Sequence, residues 1–431
     1  MIDVIPFHGL LYNLDISGPL EEVTAPPCDA ISPIQQEALY QKNPYNVIRL
    51  ILGKKYENDS GSDNRYTRSA KFFKDWTDKG ILKKDDKPGY YLYSQEYDFE
   101  GKKFCRIGFF ARVGLQIFSE GNICPHEFTL SKAKKDRVRL LSACHANFSP
   151  IFGLYSDPKG EIDSFLNEVI KKKPLSTIDD GLVLHKLWRM DNAEENQKIS
   201  ELMHDKKIYI ADGHHRYEAA LDFAQKNENI ITDCSYVMMF LTNMDSGSIS
   251  IFPIHRVVKS PIRFCQKYFL KRLSEYFNVI PWTTELNAAE IQNRLIELGK
   301  NCITFCVYMG KGKTYTLITN DSKNILSLLS ADEPKDLEVL DVMQLHVIIL
   351  RKILKIDTRK KESQEYVSYK VNAGEAIKMV DSGIYDAAFF MRPAKIKEVR
   401  RLAGKKIRLP QKATYFYPKL LSGLVINKFE K

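Results

Sequence analysis

Residues 208–221 read IYIADGHHRYEAAL, and the architecture turns on this stretch: a strand-like run gives way at Asp212-Gly213 to residues with helical apolar spacing. Tyr217, Ala220, Leu221 and Ala224 fall on one stripe of the expected helix. A strand that enters a helix through a glycine presents backbone N–H groups that the helix cannot satisfy, at the positive end of its dipole. Such a mouth suits an anion. Asp212, Gly213, His214, His215 and Arg216 all crowd it. Arg216 offers a charge-assisted contact to phosphate. His214 or His215 could donate a further bond or carry a proton. The architectural alternative is that Asp212 caps the helix while the histidines cover its first turn. A metal held by His214 and His215 alone is disfavoured, because adjacent helical residues do not face each other.

Outward from this unit, 431 residues exceed one ordinary core. The expected division is a first lobe over 1–258, a second over 259–385, and a segment 386–431 that returns to the first. The fold class is α+β (mixed α/β), with a change of texture near residue 260. Ser32-Pro33 predicts a helix start running to about Lys42, and NPYNVIRLIL predicts a turn followed by a β-rich run. A helix is expected over 65–80, then a long hairpin turning near Glu100-Gly101. A basic helix follows PHEFTLS. Helices at 161–172, 265–277, 288–299 and 337–354 complete the outline, with strands at 235–244 and around 302–318.

The net charge of +10 favours anionic partners. Its lysines come in short clusters such as LKKDDK (82–87) and TRKKE (358–362), without a basic stripe of interleaved aromatics, so nucleic acid is the disfavoured partner. Eight cysteines, at 28, 105, 124, 144, 234, 265, 302 and 306, show no paired CxxC spacing, which suits reduced thiols in the cytoplasm. Cys302 and Cys306 lie in NCITFCVYMG, read as a buried strand. No export signal or membrane-length apolar run is visible, and the oligomeric state stays open.

Other chemistry-bearing stretches each keep two readings. CPHEFTLSKAKKDR carries a loop-borne His126-Glu127 pair and, on the next helix, Asp136-Arg137. These could supply a general base, a Mg²⁺ carboxylate and a phosphate clamp, or form a surface ion-pair cluster. Asp29, in APPCDAIS, could contact Mg²⁺, activate a hydroxyl or fix a turn. In FPIHRVV, His255 and Arg256 could stand beside the anion site or simply end a strand. PQKATYFYPK gathers Lys412 and Lys419 among tyrosines, for stacking on a nucleotide or, preferably, for interface packing. YMGKGKTY (308–315) is a hairpin turn and not a Walker loop. His8, His145, His185, His204 and His346 are read as structural or surface residues.

The strand–DGHHR–helix unit resembles the phosphate-binding motif of the ParB/sulfiredoxin superfamily, which includes free serine kinases. Nearly end to end, the chain also resembles a family known as domain of unknown function 1015. That likeness rests on APPCDAIS, NPYNVIRL, PHEFTLSKAKKDR, IFGLYSD, IADGHHRYEAAL, FPIHRVV and LPQKATYFYPKLLSGLVI. Cys28 stands where that family usually has tyrosine, so no hydroxyl role is carried over there. The resemblance implies a ParB/sulfiredoxin-like first lobe and a phosphotransfer enzyme for a small phosphorylated or hydroxyl metabolite, such as free serine or phosphoserine. ATP or ADP with Mg²⁺ would be the cofactors. The alternatives are a phosphatase and a non-enzymatic, nucleotide-dependent regulatory binder.

Overall fold

Ser32 opens the first long helix, Pro33–Lys42: its side chain accepts from Gln35 N, and Gln35 returns a bond to the Ser32 amide. Asn64 does the same for Arg65–Asp78 by accepting from Tyr66 N and Thr67 N. The long hairpin forms from strands Tyr90–Phe99 and Lys102–Gly114, with Gly101 at φ 74° where a side chain would strain the turn. Its expected partner in the turn, Glu100, lies outside the described residues. The computed structural model describes all residues except 100, 130, 283–287, 301, 320–327, 331–332, 338–339, 411 and 431, and only the backbone of 232, 288, 289, 361 and 364.

The architecture is α+β, in two units: Met1–Ser250 with Pro418–Lys431, and Ile251–Tyr417. Both sequence-based divisions therefore shift. Residues 387–390 stay in the second unit because they form a strand inside its sheet, paired on either side with His255–Val258 and Thr304–Tyr308.

In the first unit, nine strands among the described residues form one mixed sheet. Along it run Ile123–Cys124, Ile208–Asp212, Ile151–Tyr155, Tyr236–Asn243, Lys102–Gly114, Tyr90–Phe99, Val183–Met190 and Ser176–Asp179; Val4–Ile5 adds to Lys102–Gly114. Two neighbouring pairs are parallel, Ile208–Asp212 with Ile123–Cys124 and Tyr236–Asn243 with Ile151–Tyr155. Helix His214–Asn227 buries Tyr217, Ala220, Phe223 and Ala224 in the same core as Ile123, Ile210 and Met239. Phe223, and not Leu221, completes its buried stripe. The helix also packs on Ser131–Cys144.

The run after Asn43-Pro44 is not a strand. Ile48–Ile51 is a helical turn, with Asn46 Oδ1 accepting from Ile48 N, and Ile48, Leu50 and Ile51 are all buried. A short apolar run buried on all sides carries no period to tell helix from strand.

Among the described residues, the second unit has a six-stranded antiparallel sheet, ordered Phe277–Pro281, Thr314–Thr319, Thr304–Tyr308, Ala387–Phe390, His255–Val258, Val367–Lys370. Side chains alternate between its faces. Phe305, Val307 and Phe389 enter one core, and Cys306, Tyr308 and Phe390 the other. The expected helix 337–354 begins partly outside the described residues, then runs as Asp341–Gln344 and widens into a π-helix at Leu345–Ile353. Among the described residues no helix is long and apolar enough to cross a membrane.

Candidate functional site

The strand Ile208–Asp212 and the helix His214–Asn227 meet at Gly213, whose φ is 92°. A Cβ there would sit 3.0 Å from Arg216 Nε and Nη2. Glycine is therefore favoured by the left-handed backbone, and a Cβ would also press the Arg216 guanidinium aside by a few tenths of an ångström. Gly213→Ala is expected to cost about 1–2 kcal/mol in the backbone alone; a denaturant-unfolding midpoint equal to the parent's would contradict this.

The mouth carries charge of both signs. Asp212 Oδ1 accepts from Gly213 N at 2.9 Å. Asp212 Oδ2 receives Lys419 Nζ at 3.1 Å, and Arg216 Nη2 lies 3.8 Å away. Arg216 Nη1 donates to the Pro150 carbonyl, which fixes the guanidinium. The expected cradle is thus corrected at one point: the Gly213 amide is engaged by the turn's own carboxylate. The side chains carry the attraction instead, since two cations converge on one carboxylate oxygen. All three are mostly buried, with side-chain exposures of 17 to 21%, so solvent screens them less than a surface pair.

Arg137 joins the same place. It lines, with Arg216, Ile51 and Ser149, a small cleft of about 50 Å³. Its Nε donates to Asp136 Oδ2 at 2.9 Å, and Nη1 donates to the Ile51 carbonyl at 3.1 Å and to Cys28 Sγ at 3.2 Å. Asp136 is shared with Arg65 and with Tyr66 OH. A sulfur thus receives the arginine at the position where the resemblance leads one to expect a hydroxyl.

The histidines behave otherwise than expected. His126 has no exposed surface, and its backbone N–H donates to His214 Nε2 at 3.2 Å. The rings meet edge to face with centroids 4.7 Å apart. Burial draws His126 down to about 4, so it is neutral at pH 7. A ring this enclosed cannot serve as base for a ligand, and the accepting Nε2 of buried His214 is occupied. The pair locks the Cys124–Phe128 loop onto the first turn of the helix. Thr129 Oγ1 adds a second tie to Glu218 on that helix. His215 stays half-buried, Glu127 is half-buried in its loop, and Asp29 is exposed on the short turn Cys28–Ala30.

His255, Arg256 and Lys412 belong to the second unit. His255 is a buried strand residue whose Nδ1 accepts from Met391 N at 3.3 Å. Arg256 is buried, donating to the carbonyls of Ile254 and Lys412. Lys412 serves it through backbone, at φ 57°. Of the tyrosine-lysine stretch, Tyr415 and Tyr417 stack on Phe252 within that unit.

Residues 4–343 match the family model described as Protein of unknown function (DUF1015). The chain belongs to this family. No protein of curated function matches it. Among solved structures it is similar to a free serine kinase mutant in complex with AMP (14% identity, TM-score 0.37, covering 76% of this chain and 95% of that one). It is also similar to a free serine kinase mutant in complex with ADP (13%, 0.36, 74% and 92%) and to SbnI with C-terminal truncation from Staphylococcus aureus (12%, 0.35, 73% and 85%).

In this DUF1015 chain the sequence reading missed Arg106 and Gln95. Arg106 is fully buried and donates to Gln95 Oε1 and to the Pro418 carbonyl, while Gln95 Nε2 donates to the Lys419 carbonyl at 2.9 Å. The signal available was a charged residue inside the apolar hairpin strand FCRIGFF; its partner lies 312 residues away. Among the described residues no three His, Cys, Asp or Glu side chains are placed to hold a metal ion. Half-buried Glu127 and exposed Asp29 are hard oxygen donors of the type Mg²⁺ takes when most of its ligands are waters and phosphate oxygens.

Proposed function

We propose that this protein is a phosphotransfer enzyme that acts on a small phosphorylated or hydroxyl metabolite, of the free serine or phosphoserine type, with ATP or ADP. The carrying observation is the convergence of Lys419 and Arg216 on Asp212 at the helix mouth, with Arg137 lining the cleft beside Arg216. Phosphoryl transfer asks a protein mainly for positioning and for positive charge where negative charge develops. Arg216 and Lys419 are assigned to bind the phosphoryl group, in exchange for their hold on Asp212. Arg137 clamps a neighbouring oxygen. Whichever of Glu127 and Asp29 does not hold the metal is the proposed base for the hydroxyl, and His215 the proposed proton carrier. Mg²⁺, when bound, would neutralise phosphate charge; Glu127 and Asp29 are its proposed ligands. A reducing, cytoplasmic setting suits the eight free thiols.

Calorimetric titration of the full chain with ADP, ATP and phosphoserine tests this. Arg216→Ala removes a charge-assisted bond valued at about 1.5–3 kcal/mol, which is roughly a 10- to 100-fold loss of affinity. Binding equal to the parent's would remove the reading. Release of inorganic phosphate from phosphoserine without nucleotide would turn it into a phosphatase, and binding without turnover of any phosphate compound into a regulatory binder.

A further inference from the structure

The second unit contains a cavity of about 350 Å³ that the phosphotransfer chemistry leaves unused. Its size falls in the range of small-molecule sites, roughly 300–1,000 Å³. The walls are apolar: Ile254, Leu340, Val342, Met391, Leu402 and Leu409 line it, and each is buried. Among the described residues, four cationic residues, Arg256, Lys300, Arg392 and Lys395, come into this chamber against two carboxylates, Asp341 and Glu398.

The charges are not equivalent. Arg392 and Asp341 form a two-pronged pair at 2.9 Å for each bond, and Arg392 also donates to the Gly299 carbonyl. That pair is internally neutral and braces the wall. Glu398 accepts from the Lys395 amide at 3.4 Å, at the start of the helix Ile396–Gly404. Arg256 is 1% exposed and lies over the Tyr369 ring at 5.4 Å, and it donates to the carbonyls of Ile254 and Lys412 and to the Met391 sulfur. Lys300 and Lys395 are exposed at the rim. An apolar chamber with surplus positive charge selects against neutral hydrocarbon and against small hydrated ions alike, since each satisfies only half of the lining.

We propose that this cavity binds a small amphipathic anion, an apolar body that carries one carboxylate or phosphate. The body fills the chamber, and the anionic end meets Lys300, Lys395 and the field of Arg256. The strand motif FPIHRVV thereby gains a purpose distinct from the helix mouth: it delivers Arg256 to the cavity wall.

The test is calorimetric titration of the full chain with octanoate and phenyl phosphate, which distinguish the two head groups, and with octanol and inorganic phosphate as half-ligands. Octanoate or phenyl phosphate is expected to bind at least about tenfold more tightly than either half-ligand. Lys300→Ala with Lys395→Ala, both exposed, should weaken the preferred anion about tenfold while octanol is unchanged. Ala413→Phe, which fills the chamber, should abolish binding with all charges kept. Arg216→Ala should bind the preferred anion as the parent does, which separates this site from the helix mouth. Octanol bound as tightly as octanoate, no binding of either anion, or parent-like binding by both the rim and the filling variants would overturn the proposal.

Discussion

Arg106→Ala is expected to lower the unfolding free energy by about 2–5 kcal/mol, from the cavity left behind and from two buried acceptors that lose their donor. Arg106 is 0% exposed and its guanidinium lies 4.6 Å from the Phe152 ring centroid. Burial draws it down to about 10, so it remains protonated at neutral pH. Truncation opens a void and leaves the Gln95 side-chain oxygen and the Pro418 carbonyl without their donor. The effect reaches the helix mouth. Arg106 and Gln95 hold the consecutive carbonyls of Pro418 and Lys419, and so aim Lys419 Nζ at Asp212. Lys419→Ala supplies the contrast: it removes one charge-assisted hydrogen bond to Asp212, worth about 1.5–3 kcal/mol at most, but takes away half the converging charge. Denaturant unfolding and phosphate-compound titration should therefore rank the two variants in opposite order. An Arg106→Ala protein that unfolds at the parent's midpoint would show that the clamp carries no weight.

How far the sequence spoke depends on the range over which each feature is encoded. The strand–glycine–helix unit at 208–221 is local, and Asp212, Gly213 and the periodicity after it suffice to place it. The capped start at Ser32-Pro33 and the hairpin turning at Gly101 are local too. The helical turn Ile48–Ile51 was illegible, because burial on every side erases period. The site was legible as residue types and only partly as geometry. Arg216 and Lys419 do meet, yet what they meet on is Asp212, and nothing in DGHHR says that the carboxylate folds back onto Gly213. His126 looked like a loop base because proline precedes it; its burial against His214 follows from a contact 88 residues away. The π-helix at Leu345–Ile353 follows a plain helical pattern in sequence, since an extra residue per turn changes hydrogen-bond register without changing composition.

Acid is expected to destabilise both units well above the pH at which the ion-paired carboxylates titrate. Burial holds His126 at about 4 and His255 at about 3, with the Arg256 charge also acting on His255. His185 and His346 are displaced in the same direction, chiefly by burial. Each folded value lies below the unfolded one, near 6.5, so the unfolded chain takes up protons that the folded chain refuses. The stabilisation is complete above about pH 6.5 and falls as pH drops toward the folded value, by about 1.4 kcal/mol per pH unit and group. From pH 6.5 to 5.0 that is about 2 kcal/mol from His126 in the first unit and about 2 from His255 in the second. Carboxylates held low by their ion pairs, such as Glu333 and Asp336, lose their contribution only below about pH 4.5; Asp163 and Asp341, raised by burial, bind protons more readily folded than unfolded and offset part of the histidine effect. Unfolding midpoints at pH 7.5, 6.0 and 5.0 read the effect, and His126→Gln with His255→Gln should flatten the curve even if both lower its plateau. A parent midpoint that does not move between pH 7.5 and 5.0 would mean that these rings take protons while folded, and that the packing around His126 and His214 opens to let them in.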